Sequence, residues 1–260
     1  MIKAAFFDID GTLVSLKSKV YPPSAAVALK RLRENGVLLF VATGRSRFEI
    51  NSERLLDGLE FDGYLTNNGQ DAYDADGKLL YGKPIVTEEA CAIVDWAEKN
   101  GHACWLVNSE KSCMNLYNER VFEAMEAIHT RPPALCDLHE MLKTPIYKIV
   151  LFLTREEMRI PLLLGPHCRT TQWFELGHDI ISVDGGKENA MADILSRYGI
   201  AKEESIAFGD SENDIAMLRT AGIGVAMGNA TKEAMAAADY ITDDCDDDGL
   251  LHALEHFSLI

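Results

Sequence analysis

The chain opens on an unbroken apolar run, residues 2–7, stopped by Asp8 and followed closely by Gly11. A short run without alternation suits a strand buried on both faces, as in a parallel sheet. Pro22-Pro23-Ser24 introduces a helical pattern, with Val27, Leu29 and Leu32, that runs over 25–35 and stops at Gly36. A second apolar run, 37–42, ends in Thr43-Gly44. A helix is predicted over 47–56, a short strand at Tyr64-Leu65-Thr66 and a turn at Asn67-Asn68-Gly69. Strand–helix–strand alternation of this kind implies a parallel sheet with right-handed crossovers.

Beyond residue 82 the rhythm changes. The pattern predicts a helix over 87–100, strands 104–107 and 113–116 paired around Glu110-Lys111, and a helix over 121–128. A strand over 146–153 and a helix over 156–164 follow. A second hairpin joins 170–176 to 179–183 across Gly177-His178. Hairpins separated by helices predict an α+β module with an antiparallel sheet. After Gly185-Gly186 the first rhythm returns, with helices at 187–198, 215–221, 231–238 and 250–256 and strands at 205–208 and 222–226. The predicted fold class is α/β: a doubly wound, Rossmann-like parallel-sheet core of residues 1–81 and 185–260, interrupted by an α+β domain of residues 82–184.

Composition narrows the partners. Among 260 residues, 25 Lys and Arg face 41 Asp and Glu, a formal net charge of −16. Nucleic acids and anionic membrane surfaces are held by Lys and Arg neutralising phosphate, so neither is expected as a partner. A local anion site remains open to an acidic protein where a metal and a few cations invert the field. Acids arrive too early in the N-terminal segment for a signal peptide, and no apolar stretch is long enough to span a bilayer. Six cysteines without a C-x-x-C pair are expected to be reduced thiols, consistent with a cytoplasmic protein.

Four polar clusters fall where predicted strands end, which is where open parallel sheets bind ligands. Asp8-Ile9-Asp10-Gly11-Thr12 offers two carboxylates one residue apart; an acidic turn with a helix cap is the plainer reading. Thr43-Gly44-Arg45 offers a hydroxyl and backbone N–H groups to a phosphate, or a simple helix start. Lys187 places a cation in the first turn of a helix, against the dipole. Gly209-Asp210-Ser211-Glu212-Asn213-Asp214 crowds three acids at a strand-to-helix junction. Capping explains part of that charge, and a hard divalent cation such as Mg²⁺ would relieve the rest.

In this order the four clusters resemble the motifs of the haloacid dehalogenase superfamily. Asn68-Gly69 and Asp248-Gly249-Leu250 resemble its Cof-type sugar-phosphatase branch, in which the inserted domain is a cap. The resemblance implies an Mg²⁺-dependent phosphatase of small phosphorylated metabolites, with sugar phosphates first among them. It makes Asp8 the nucleophile and Asp10 the general acid and base. It implies that Asp8, Asp10 (through its main-chain carbonyl) and Asp210 hold the metal, with Asp214 and Asn68 in support. Ile9, Thr43, Gly44, Lys187 and Asn213 are implied to bind the phosphate. A phosphomutase using the same intermediate and a non-catalytic phosphate- or metal-binding regulator are the alternatives. The run 243–248 reads as a solvated acidic loop with Asp248 capping the last helix, and His178, at a hairpin tip, as a candidate for touching substrate.

Overall fold

The computed structural model describes residues 1–127 and 130–260; Ile128, the predicted end of one helix, and His129 lie outside the described residues. The chain divides into two compact units, residues 1–81 with 186–260, and residues 82–185.

The strands of the first unit are β1 (Ala4–Phe7), β2 (Leu38–Ala42), β3 (Gly63–Thr66), β4 (Asp71–Asp74) and β5 (Leu79–Gly82), and those of the second are β6 (Cys104–Val107), β7 (Ser112–Met114), β8 (Lys148–Phe152), β9 (Cys168–Gln172) and β10 (Gly177–Ser182). The chain then returns to the first unit with β11 (Ser205–Gly209), β12 (Ile223–Ala226) and β13 (Tyr240–Ile241). The helices are α1 (Pro23–Glu34), α2 (Arg47–Ser52), α3 (Thr87–Lys99), α4 (Glu119–Ala127), α5 (Leu138–Met141), α6 (Arg159–Leu164), α7 (Lys187–Arg197), α8 (Ile215–Thr220), α9 (Lys232–Ala237) and α10 (Gly249–His256).

The first unit is built on an eight-stranded sheet of order β13-β12-β11-β1-β2-β3-β4-β5. β1 lies at its centre, fully buried and parallel to both β2 and β11. Alternate side chains serve opposite faces. Ala5, Phe7, Leu39, Val41, Ile206 and Phe208 join a core that includes Leu29 and Leu32 of α1 and Leu250 and Leu254 of α10. Ala4, Phe6, Phe40, Ala42 and Ala207 pack with Met191 and Ile194 of α7 and Met217 and Leu218 of α8. This two-faced burial is what the unbroken apolar runs encode, and it makes the sheet doubly wound. Its carboxyl-end loops follow β1, β2 and β11 side by side.

The parallel expectation does not extend to the edge. β3 and β4 pair antiparallel, as Leu65 with Ala72. The acidic ends of Asp71-Ala72-Tyr73-Asp74 conceal that strand in the sequence. The fold needs it because Asp71 is buried and accepts hydrogen bonds from Asn67 Nδ2, Tyr73 Oη and Thr66 Oγ1. Short α5 and β13 also lie beyond the predicted elements.

The second unit carries a five-stranded sheet of order β7-β6-β8-β10-β9, with antiparallel pairing throughout the described register. One face buries Cys104, Leu106, Ile149, Leu151 and Ile180 against Ile93, Val94 and Ala97 of α3. The other buries Trp105, Val107, Met114, Val150 and Phe152 against Val121, Ala124 and Met125 of α4. The second hairpin turns at residues 173–176, so Gly177 and His178 open β10 instead of forming its tip. The reason is steric: a Cβ on Gly177 would collide with the Trp173 ring, which folds back over the strand start. His178 is therefore buried opposite Leu151 and is no surface group. Cys113 and Cys136 are joined in a disulfide with a Cα–Cα distance of 5.9 Å, contrary to the expectation that all six cysteines are reduced. Pairing of Cys136 N with Met114 O brings their segments together. Among the described residues no helix is long and apolar enough to cross a membrane.

Candidate active site

Four loops meet at the carboxyl end of the core sheet. Asp8 follows β1 and donates its N–H to Phe208 O, which fixes it beside β11 (3.0 Å). Gly11 turns the chain with φ +83°, and a Cβ there would strike the Asp210 carboxylate, so the β1 and β11 loops touch only because residue 11 has no side chain. Asp8, Asp210 and Asp214 are all buried, with carboxylate oxygens within 4.8 Å of one another.

Lys187 explains its position against the helix dipole here. Its ammonium, fully buried, donates to Asp8 Oδ1 and Asp214 Oδ1, each at 2.6 Å. Burial works against its charge, but Asp214 and Asp8 more than offset this and hold the ammonium above its ordinary range. Burial pushes the Asp8 carboxyl well above the usual carboxylate range; Lys187 opposes that shift, and Asp214, Asp210 and Asp10 add to it. Asp210 is pushed up to about 7, by burial first and by Asp214 next.

This donor set fits a hard divalent cation. All three groups are carboxylates, the ligand type such ions take. Asp214 is already engaged on both oxygens, through Lys187 on one and the N–H groups of Asp210 (3.1 Å) and Ser211 (3.0 Å) on the other. Asp210 Oδ1, by contrast, is buried without a hydrogen-bond partner. A cation would meet that orphaned oxygen and relieve the repulsion that adds to burial in raising Asp8 and Asp210.

The second loop, after β2, brings Thr43 and Gly44 to the same end. The buried Thr43 hydroxyl accepts the Arg45 N–H at 3.1 Å, while Ser46, not Thr43, caps α2 through a reciprocal pair with Glu49. The third loop is the turn after β3, where Asn67, Asn68 and Gly69 have φ of 51°, 59° and 72°. Asn and Gly tolerate that left-handed region, and the Asp71 network holds the turn in it. Asn213 Nδ2 donates to Asn68 Oδ1 at 2.9 Å, and a Cβ on Gly44 would lie 2.9 Å from the same oxygen. Gly44, Asn68 and Asn213 thus stand together. The Ile9 side chain points into the apolar core, so only its main chain can serve an anion.

Asp10 stands apart from the three clustered carboxylates. Arg45 forks onto it, Nε to Oδ2 at 2.6 Å and Nη2 to Oδ1 at 2.8 Å, and is itself anchored to Glu53 at 2.8 Å. Burial lowers the basicity of Arg45, but Asp10 outweighs it and the guanidinium is held above its ordinary range. Sequence reading missed the roles of Arg45 and Glu53. Arg45 follows Thr43-Gly44 directly, and that adjacency was the one available signal. The acidic run 243–248 gathers no metal-ligand group among the described residues, and Asp248 makes no side-chain cap bond to α10, being left-handed at φ 60°.

A family model described as haloacid dehalogenase-like hydrolase matches residues 5–254. A Streptococcus pyogenes protein, whose provisional name is that of a bifunctional phosphatase and peptidyl-prolyl cis-trans isomerase, is 26% identical over the whole chain, which spans 54% of that protein's length. The 5-amino-6-(5-phospho-D-ribitylamino)uracil phosphatase YcsE of Bacillus subtilis is 27% identical, with 99% of this chain and 96% of that one covered. Among solved structures, BT1666 of Bacteroides thetaiotaomicron, from a study of phosphatases of this superfamily, aligns with a TM-score of 0.92 at 29% identity, covering 100% and 96% of the two chains. The subclass IIB sugar phosphatase BT4131 aligns with a TM-score of 0.84 at 34% identity, covering 99% and 100%. The chain belongs to the haloacid dehalogenase-like hydrolases.

Proposed function

We propose that the protein is an Mg²⁺-dependent phosphatase that hydrolyses small phosphorylated metabolites, sugar phosphates first among them, through an aspartyl-phosphate on Asp8. The observation that carries this reading is the buried Lys187 ammonium shared between Asp8 and Asp214, with Asp210 alongside. It supports a carboxylate held in place and shielded from its neighbours' charge, as a nucleophile toward phosphorus must be. The names of the relatives support small substrates, being those of a sugar phosphatase and a ribitylaminouracil phosphatase.

In the first step an Asp8 oxygen attacks phosphorus as the bond from phosphorus to the ester oxygen breaks. The departing alkoxide takes a proton from Asp10. In the second step Asp10, now a carboxylate, removes a proton from water while the water oxygen attacks phosphorus. The bond to Asp8 breaks, and inorganic phosphate leaves. Lys187, the Thr43 hydroxyl, the main-chain N–H groups of Ile9 and Gly44 and the Asn213 amide hold the non-bridging oxygens as charge spreads over them. Asp8, Asp210 and the Asp10 carbonyl would hold Mg²⁺, which when bound would neutralise phosphate charge; Asp214 and Asn68 would support these groups.

The test is a panel of phosphorylated metabolites assayed with and without Mg²⁺, for wild type and Asp8→Asn. Phosphate release that needs Mg²⁺ and disappears in Asp8→Asn is expected. Turnover surviving either change overturns the corresponding part of the reading, and isomerisation without phosphate release would indicate a mutase.

A further inference from the structure

Neither the mechanism above nor the sequence reading uses Asn229, yet its side chain spans two loops. Its Nδ2 donates to Gly11 O at 2.8 Å, and its Oδ1 accepts the Cys245 N–H at 2.9 Å. The segment around it also grips the β11 loop. Met227 N donates to Gly209 O at 3.0 Å, and Thr231 N donates to Asp210 O at 2.8 Å. The five residues 227–231 therefore hold the backbone on both sides of the Gly11–Asp210 contact, where there is no room for a Cβ.

The separation of Asp8 from Asp210 depends on where these two loops lie. β1 and β11 fix their roots by parallel pairing, but beyond Asp8 the 8–12 turn is free of the ladder. The Asn229 amide is a side-chain tie between that turn and the segment gripping the Asp210 loop, separate from the Thr12 hydroxyl, which interacts with Asp210 itself. Its other end is anchored to Cys245, in the short helical turn after Asp244. A hydrogen bond to the outside of a ligand-bearing loop fixes the loop's geometry as bonds to a ligand's far atom do.

We propose that Asn229 is a positioning residue for the cation site, setting the distance between the Asp8–Gly11 turn and Asp210 without touching ion or phosphate. The inference rests on the Mg²⁺ reading of the Asp8–Asp210 pair. Asn229→Ala should weaken Mg²⁺ binding about tenfold or more. Excess Mg²⁺ should restore turnover, while the substrate KM measured at saturating Mg²⁺ stays near that of wild type.

The experiment is calorimetric titration of the whole chain with Mg²⁺ in the absence of substrate, alongside melting curves. Thr242→Val is the matched control. It removes an equally local bond, Thr242 Oγ1 to Gly249 O at 2.7 Å, that ties neither carboxylate loop. Weaker Mg²⁺ binding in Asn229→Ala, with affinity unchanged in Thr242→Val, is the expected result. Equal affinity in a folded Asn229→Ala protein, or an equal loss in both variants, overturns the proposal. Should Asn229→Ala not fold, Asn229→Gln keeps both polar groups on a stem one methylene longer and should show a smaller loss; wild-type affinity there overturns it too. Absence of Mg²⁺ binding by the wild-type chain would overturn the metal reading, and the inference with it.

Discussion

The two units bury charge in opposite ways. In the core, Lys187 reaches Asp8 across 179 positions of sequence and Asp214 across 27; the two acids follow the parallel strands β1 and β11, and Lys187 opens α7. In the inserted unit the buried Asp179 takes the Trp173 indole N–H from six positions away at 2.9 Å, with Lys148 of the neighbouring strand at 3.9 Å. Parallel strands joined by crossovers send distant loops to one end of the sheet, whereas antiparallel hairpins set near neighbours side by side. The first topology can concentrate like charges in a buried cluster, which then needs a cation. The second satisfies Asp179 from near neighbours in its sheet, while the buried Glu89 of the same unit takes the His167 N–H from 78 positions away.

If that contrast is real, removing a charge should cost most in the core. Lys187→Met leaves Asp8 and Asp214 buried without their counter-ion and should destabilise the fold by about 3–5 kcal/mol, as breaking a buried pair does. Thermal melting of the metal-free protein at neutral pH would show it, and a melting point near wild type would dissolve the contrast. A smaller effect is expected at Arg45, which orients an acid without belonging to the buried cluster. Arg45→Gln should reduce turnover by less than the about 10²–10⁴-fold that loss of a general acid costs, and more for alkyl than for nitrophenyl phosphates. Equal losses for both leaving groups would separate Arg45 from the function of Asp10.

In the inserted unit, Trp173→Phe removes one donor from a charged acceptor that keeps Lys148. Its cost should be about 1–3 kcal/mol, read from denaturant unfolding, with no change in Mg²⁺ affinity. The smallest effect belongs to Arg120–Glu157, a half-buried pair at 2.7 Å that solvent still reaches. Arg120, through its hydrogen bond, pulls Glu157 down to about 2. A depressed carboxylate stabilises the fold above its ordinary value of 4.5 and loses that contribution as pH falls towards 2. Because solvent screens the pair, Glu157→Gln should cost less than about 1 kcal/mol at pH 7 and nothing near pH 2, measured as the gap between the two melting curves.

The same contrast decides what could be read from the sequence. Asp8, Thr43, Lys187 and Asp210 announce themselves because each follows or opens an element whose apolar run or helical pattern is unmistakable. Their meeting follows from topology. What stayed hidden depends on side chains bridging loops with no pattern between them. Arg45 on Asp10 and Asn229 on Gly11 are of this kind: neither partner is implied by periodicity. The β4 strand was hidden because its ends are acids whose burial relies on the Asn67 and Tyr73 donors. The turn at residues 173–176 was hidden because Gly177 looks like a turn residue, while its lack of a side chain serves the Trp173 ring instead. The Cys113–Cys136 bond joins residues 23 apart, a spacing that carries no signal by itself.

The central claim is that Asp8 carries the phosphoryl group. Asp10→Asn protein, which lacks the base for the second step, can be mixed with Mg²⁺ and a nitrophenyl phosphate, whose leaving group needs little acid. Rapid acid quench followed by peptide mass mapping should find one phosphoryl group on Asp8. Nitrophenol released in the first turnover with Asp8 unmodified, or with the phosphoryl group on another residue, would contradict it.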